Sequence, residues 1–185
     1  DRVEKSTKTM GILFEFFNNI QDFTNPEKAK NVVRLDDGKT ITDKNFQNIR
    51  DIGLIYSFIK MLDPNSVVRE GEIKISNEAR GALQNLGIQA EKVFTGETLD
   101  DRQRLGILSV ANDTFKNGTI GLEETIDLAE SRINSFGLKR SDVISGKADK
   151  MLERVKALKE KEAKALAPDA QNVAKPGTDL GGGIR

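Results

Sequence analysis

The sequence predicts an all-α protein: a helical bundle of about six or seven helices with an extended C-terminal tail. Three observations predict it. Apolar residues recur at three- and four-residue spacing in one segment after another. Helix start and stop residues (Asn-Pro, Asp-Pro, Asn-Gly, Phe-Gly) separate those segments. Residues 66–75, with Val67, Val68, Ile73 and Ile75, are the nearest approach to a strand. They have no second run of comparable β-propensity to pair with, so a loop or a short helical turn is expected there.

Residues 10–23 place Met10, Ile12, Leu13, Phe14, Phe16, Phe17, Ile20 and Phe23 on one broad arc at about 100° per residue. Glu15, Asn18, Asn19 and Asp22 fill the other side. This face suits core packing or a partner helix; a membrane-surface helix would carry Lys and Arg opposite its apolar face. Asn25 and Pro26 restart a helix, because Asn caps orphan N–H groups and Pro at the first position has none to lose. It should end before the turn Asp36-Asp37-Gly38, which lacks the spacing of a calcium loop.

Thr42 or Asp43 caps the next helix, to Leu62. Between Ile52 and Leu62 only Ser57 and Lys60 are strongly polar, so this helix is expected to be apolar all round and central. Pro64 disfavours helix at Asp63 and stops it. A helix follows from Asn77 to about Leu86, interrupted at Gly87, resuming to Phe94 and broken by Thr95-Gly96. Thr98 and Asp101 fit a capping box. The helix they open shows Leu105, Leu108, Ala111 and Phe115 on one face and should end at Asn117-Gly118. Another, residues 122–135, carries Leu122, Ile126, Ala129 and Ile133 and stops at Phe136-Gly137. Ser145 caps a last helix, residues 147–167, with a thin seam of Met151, Val155 and Leu158. Its seven basic residues (Lys147, Lys150, Arg154, Lys156, Lys159, Lys161, Lys164) face four acids (Asp149, Glu153, Glu160, Glu162), as on a solvated helix laced with ion pairs. Residues 1–137 are therefore expected to form the bundle and 138–167 a linker with a charged helix. Residues 168–185, rich in Pro and Gly, form a tail that is disordered or held by a partner.

Composition narrows the function. Lys+Arg and Asp+Glu are 29 each, so this chain of 185 residues has no net charge and no electrostatic reason to hold nucleic acid sequence-specifically. It has no Cys and no His. That excludes a disulfide framework, a Cys/His zinc site, a Ser-His or Cys-His pair and a histidine base. No segment reaches the ~18 consecutive apolar residues of a membrane span. The start, without Met or an apolar stretch, points to a fragment or processed product. No cofactor, catalytic or metal-binding set is expected.

The densest cluster of unusual residues is LDPNSVVREGE, from Leu62 to Glu72. Lys60, Asp63, Pro64, Val67, Val68, Arg69 and Glu70 are expected to act architecturally. Asp63 and Pro64 stop the helix, Val67 and Val68 pack the turn, and Arg69 with Glu70 makes a polar lock or a contact between subunits. The enzymatic alternative takes Glu70 or Glu72 as the general acid of a peptidoglycan-lytic domain. The lack of Trp, and the single Tyr on the buried helix, argue against a sugar groove. A third reading is an oligomerising adaptor that binds through its termini.

A composite pattern then stands out. An apolar helix (IRDIGLIYSFIKM) is followed at once by LDPNSVVREGE and, some twenty-five residues on, by VFTGETLDDRQRLGILSVAND. It resembles a segment of the internal virion proteins of tailed bacteriophages, the tape-measure-like or DNA-ejection polypeptides, some of which also carry a transglycosylase domain. The matching positions are Lys60, Leu62, Asp63, Pro64, Ser66, Val67, Val68, Arg69, Glu70, Gly71 and Glu72, then Gly96, Leu99, Gln103 and Arg104. The resemblance covers residues 44–117. It implies a non-enzymatic, locally all-helical virion component in the capsid interior or tail lumen, with any hydrolase residues in another domain. Its implied partners are portal, tail or other ejection proteins and further copies of itself, with membrane contact only during ejection. Neutral charge suits a compartment shared with packaged DNA, since a basic surface would be held on phosphate.

Overall fold

A computed structural model describes residues 2–25, 43–65, 67–69 and 72–166. Seven helices and one hairpin follow in order: α1 (Arg2–Thr24), α2 (Asp43–Leu62), β1 (Val67–Arg69), β2 (Glu72–Lys74), α3 (Asn77–Asn85), α4 (Ala90–Phe94), α5 (Asp101–Phe136), α6 (Arg140–Val143) and α7 (Gly146–Leu166). The architecture is an all-α bundle. The expected helix after Pro26, the turn at Asp36 and the tail from 168 lie outside the described residues.

Helix α1 is the centre, packing on α5, α2 and α7. Its buried residues Val3, Thr7, Met10, Leu13, Phe17 and Ile20 repeat every three or four positions, so one seam faces inward along its whole length. That seam explains why the helix starts at Arg2 rather than Met10. Thr7 stays in it because its hydroxyl donates to the Val3 carbonyl at 2.7 Å. Helix α5 answers with Ile107, Ala111, Phe115, Thr119, Leu122, Ile126, Ala129 and Ile133. The Phe17 and Phe115 rings stack at 4.5 Å and 14°, and Phe14 meets Phe115 at 6.0 Å.

The sequence reading ends a helix at Asn117-Gly118, yet α5 runs straight through. A Cβ on Gly118 would collide with Cδ1 of Leu13 and stand 3.5 Å from the Met10 sulfur. The glycine lets α1 approach; it does not terminate α5. The true end is Gly137, at φ 65°, with the Leu138 N–H donating to the Ile133 carbonyl at 3.1 Å. Leu105, expected in the core, is 64% exposed, and Ile107 is buried instead. The phase is set by Arg104, which must face α2.

Helix α2 buries Leu54, Ile55, Phe58, Ile59 and Met61. It is not enclosed all round: Tyr56 is 39% exposed, its ring edge-on to Phe16 at 6.5 Å. The expected loop or helical turn at 66–75 is an antiparallel hairpin, with Val67 opposite Lys74, Val68 opposite Ile73 and Arg69 opposite Glu72. The missing partner run is the other half of the same segment. The core continues into Ile144, Ala148, Met151 and Val155, so the seam of α7 docks on α1.

Candidate functional site

The structure gathers polar side chains where the sequence looks apolar, on the first half of α2. Asp51 is 1% exposed, and burying such a charge is expensive unless it is paired and hydrogen-bonded. It is both. Arg104 grips it with two bonds, Nε to Oδ1 at 2.9 Å and an Nη to Oδ2 at 3.0 Å. The Leu99 backbone N–H donates to Oδ2 at 2.9 Å, and Gln47 Nε2 to Oδ1 at 3.0 Å. Arg104 also reaches Asp101 Oδ1 at 2.8 Å. Its pKa is raised, chiefly by the hydrogen bonds from Asp51, so it stays charged.

This grip relocates the start of α5. The expected box on Thr98 and Asp101 is instead built by Asp100 and Gln103. The Gln103 N–H donates to Asp100 Oδ1 at 2.7 Å, and the Asp100 N–H to Gln103 Oε1 at 3.1 Å. Leu99 has to remain outside the helix, because its N–H is committed to Asp51 and its side chain is buried. Gln103 Nε2 also holds the Gly87 carbonyl at 3.0 Å, tying the α3–α4 turn to the same point.

Two further α2 residues complete the hub. Asn48 Nδ2 donates to the carbonyls of Val93 and Glu97, at 3.1 and 2.8 Å, closing the end of α4. One Arg50 Nη donates to the carbonyls of Asp22, Phe23 and Asn25, at 3.3, 2.7 and 2.9 Å. A cation at the carbonyl end of α1 also meets the negative pole of that helix. Burial lowers the Arg50 pKa and the neighbouring Asp51 opposes it; Nε is buried without a hydrogen bond, and the guanidinium lies 5.9 Å from the Phe46 ring. Sequence reading missed Asn48, Arg50 and Asp51. The available signal was charge at positions 50 and 51 directly beside an apolar run.

The elbow after α2 is built as expected for three of its residues. The Asp63 N–H still bonds the Ile59 carbonyl at 2.8 Å, and its Oδ1 accepts from the Asn65 N–H at 3.0 Å, an Asx turn. Lys60 Nζ closes it on the Pro64 carbonyl at 3.1 Å. Val67, Val68 and Arg69 supply the backbone of β1. The packing expected of those two valines and the lock expected between Arg69 and Glu70 lie outside the described residues.

A second polar cluster ties the far end. Arg140 forms a two-bond pair with Asp149, at 2.7 and 2.9 Å, and its Nε donates to Glu130 at 3.2 Å, joining α6 to α5 and α7. Lys159 and Glu123 pair at 2.9 Å between α7 and α5. A cleft of about 300 Å³ opens between the end of β2 and helices α3 and α4. Leu83, Ile88 and Ala90 form its buried floor with Ile75 beside them, and exposed Arg80 and Glu91 border it. Among the described residues, no cluster of acidic side chains could hold a metal ion, and no helix is long and apolar enough to cross a membrane. No family model, curated protein or solved structure matches the chain.

Proposed function

We propose that the chain is a structural component of a tailed-phage virion, internal or in the tail lumen, that assembles with further copies and with portal, tail or ejection proteins and takes part in genome delivery. One observation carries the reading: the residues behind the resemblance are occupied in holding helices together. Lys60, Asp63 and Pro64 close α2. Leu99, Gln103 and Arg104 dock the start of α5 on α2 and on the α3–α4 turn. Such polar groups, spent on the protein's own backbone and charges, do architecture and leave no pair of carboxyls aimed at a substrate.

Mass spectrometry of purified virions of the phage that encodes the chain, before and after triggered ejection, tests it. The chain is expected in full particles and reduced or lost in emptied ones. Absence from both refutes a virion role. Clearing of cell-wall sacculi by the isolated chain would refute the non-enzymatic part.

A further inference from the structure

Two features remain unabsorbed by the hub. Phe136 is 75% exposed and Leu138 is 50% exposed, an apolar knob at the C-terminal end of α5. The αL Gly137 and the Leu138-to-Ile133 backbone bond fix its geometry, so it is presented rigidly. The second feature is the cleft over Leu83, Ile88 and Ala90. It sits at the opposite end of the same helix, because Gln103 bonds Gly87 and a Cβ on Gly106 would stand 2.7 Å from Leu86. From Gly106 to Phe136, at ~1.5 Å per residue, is about 45 Å. The knob of one molecule is therefore out of reach of its own cleft.

We propose that the Phe136–Leu138 knob of one molecule docks in the α3–α4 cleft of a second copy, a head-to-tail contact along α5. This deepens, and rests on, the reading of the chain as an assembling virion component. Charge favours the pairing. Exposed Arg132 and Lys139 flank the knob, where the nearby Glu130 is already paired with Arg140. Exposed Glu78 and Glu91 flank the cleft against a single Arg80. The contact joins different surfaces of the two copies, so it propagates and closes only as a ring or extends as a filament. It is smaller than a stable dimer needs, which makes each pairwise contact weak and the assembled ring or filament cooperative.

The full chain has no Cys, so introduced thiols report alone. Phe136→Cys and Gln84→Cys variants are prepared separately, both at exposed positions, and oxidised with copper-phenanthroline. A mixture of the two is expected to give a cross-linked dimer well above either alone, and a chain carrying both to give a ladder. Sedimentation of Phe136→Asp is expected to show association weakened by about tenfold or more, the loss of one buried aromatic. Cross-linking of Phe136→Cys alone as strong as the mixture would overturn the head-to-tail geometry. Association unchanged by both Phe136→Asp and Glu91→Lys would overturn the contact while leaving an assembling protein. A monomer at every concentration tested would overturn it as well, while virion mass spectrometry judges the underlying reading separately.

Discussion

Replacing Arg104 by Met keeps most of the side-chain stem and removes the charge that balances Asp51. The Asp51 carboxylate is 1% exposed and would keep only the Leu99 N–H and Gln47. Breaking a buried pair from one side typically costs about 3–5 kcal/mol. Asp51→Leu is the milder change. Arg104 is 18% exposed and still has Asp101, so its charge can turn to solvent. That variant leaves the buried Leu99 N–H unpaired, a loss of about 1–3 kcal/mol. In the double variant neither charge is stranded, and only the Leu99 N–H is orphaned. It should therefore be about as stable as Asp51→Leu alone, with a coupling of roughly 2–4 kcal/mol between the two sites. Urea denaturation followed by far-ultraviolet circular dichroism, on all four proteins, measures this. Additive single effects, or an Arg104→Met loss below about 1 kcal/mol, would refute the argument that the pair holds α5 to α2.

The two glycines of mid-α5 should respond oppositely to alanine. At Gly121 nothing lies within 4 Å of an added Cβ, so Gly121→Ala should raise stability by about 0.5–1 kcal/mol through helix propensity, whereas Gly118→Ala must displace Leu13 and should lower it by about 1 kcal/mol, both read from thermal melting. Thr119 is 1% exposed and its hydroxyl has no hydrogen-bond partner, so Thr119→Val should be neutral or stabilising by up to about 1 kcal/mol in the same assay. The Asp149 carboxyl is held below its ordinary 3.8 by the hydrogen bond from Arg140, with its slight burial opposing. A depressed native pKa means its stabilising contribution is present above that ordinary value and fades as pH falls through the native one. Carboxyl NMR should show the midpoint below 3.8 and its return towards 3.8 in Arg140→Gln.

Elements whose signals are local were legible. Pro64 stops α2 because the residue before proline avoids helix, and Gly137 ends α5 because a left-handed cap suits glycine. The apolar arc of α1 and the seam of α7 follow from periodicity alone. The errors share a cause: each needed knowledge of a neighbour distant in sequence. Gly118 reads as a stop until Leu13 is known to press on it. Leu105 reads as core until Arg104 is known to turn inward. Thr98 reads as a cap until the Leu99 N–H is known to be taken by Asp51. The hairpin was missed because its partner run was sought elsewhere. The hub was hardest, since a buried aspartate and an exposed one are the same letter and only the convergence of residues 47–51 with 93–104 separates them.

The same long-range contacts specify one packing out of several. The stripes of α1 and α5 repeat every three or four residues, so the two helices would match almost as well after sliding by one turn, about 5.4 Å. Two features forbid the slide. A turn in one direction would leave Asp51 beside Leu108 or Leu105 instead of Arg104, stranding a charge that is almost wholly buried. Any slide would also carry Gly118 away from Leu13 and bring a residue with a side chain into a gap that has no room for one. Residues 104 and 118 lie about 21 Å apart along α5, so a charge pin and a steric pin fix register at separate points. A buried ion pair is weak evidence for stability and a stronger device for register. In α5 that register also sets how far the Phe136 end stands from the α3–α4 cleft, and so the repeat length of any assembly built from these two ends.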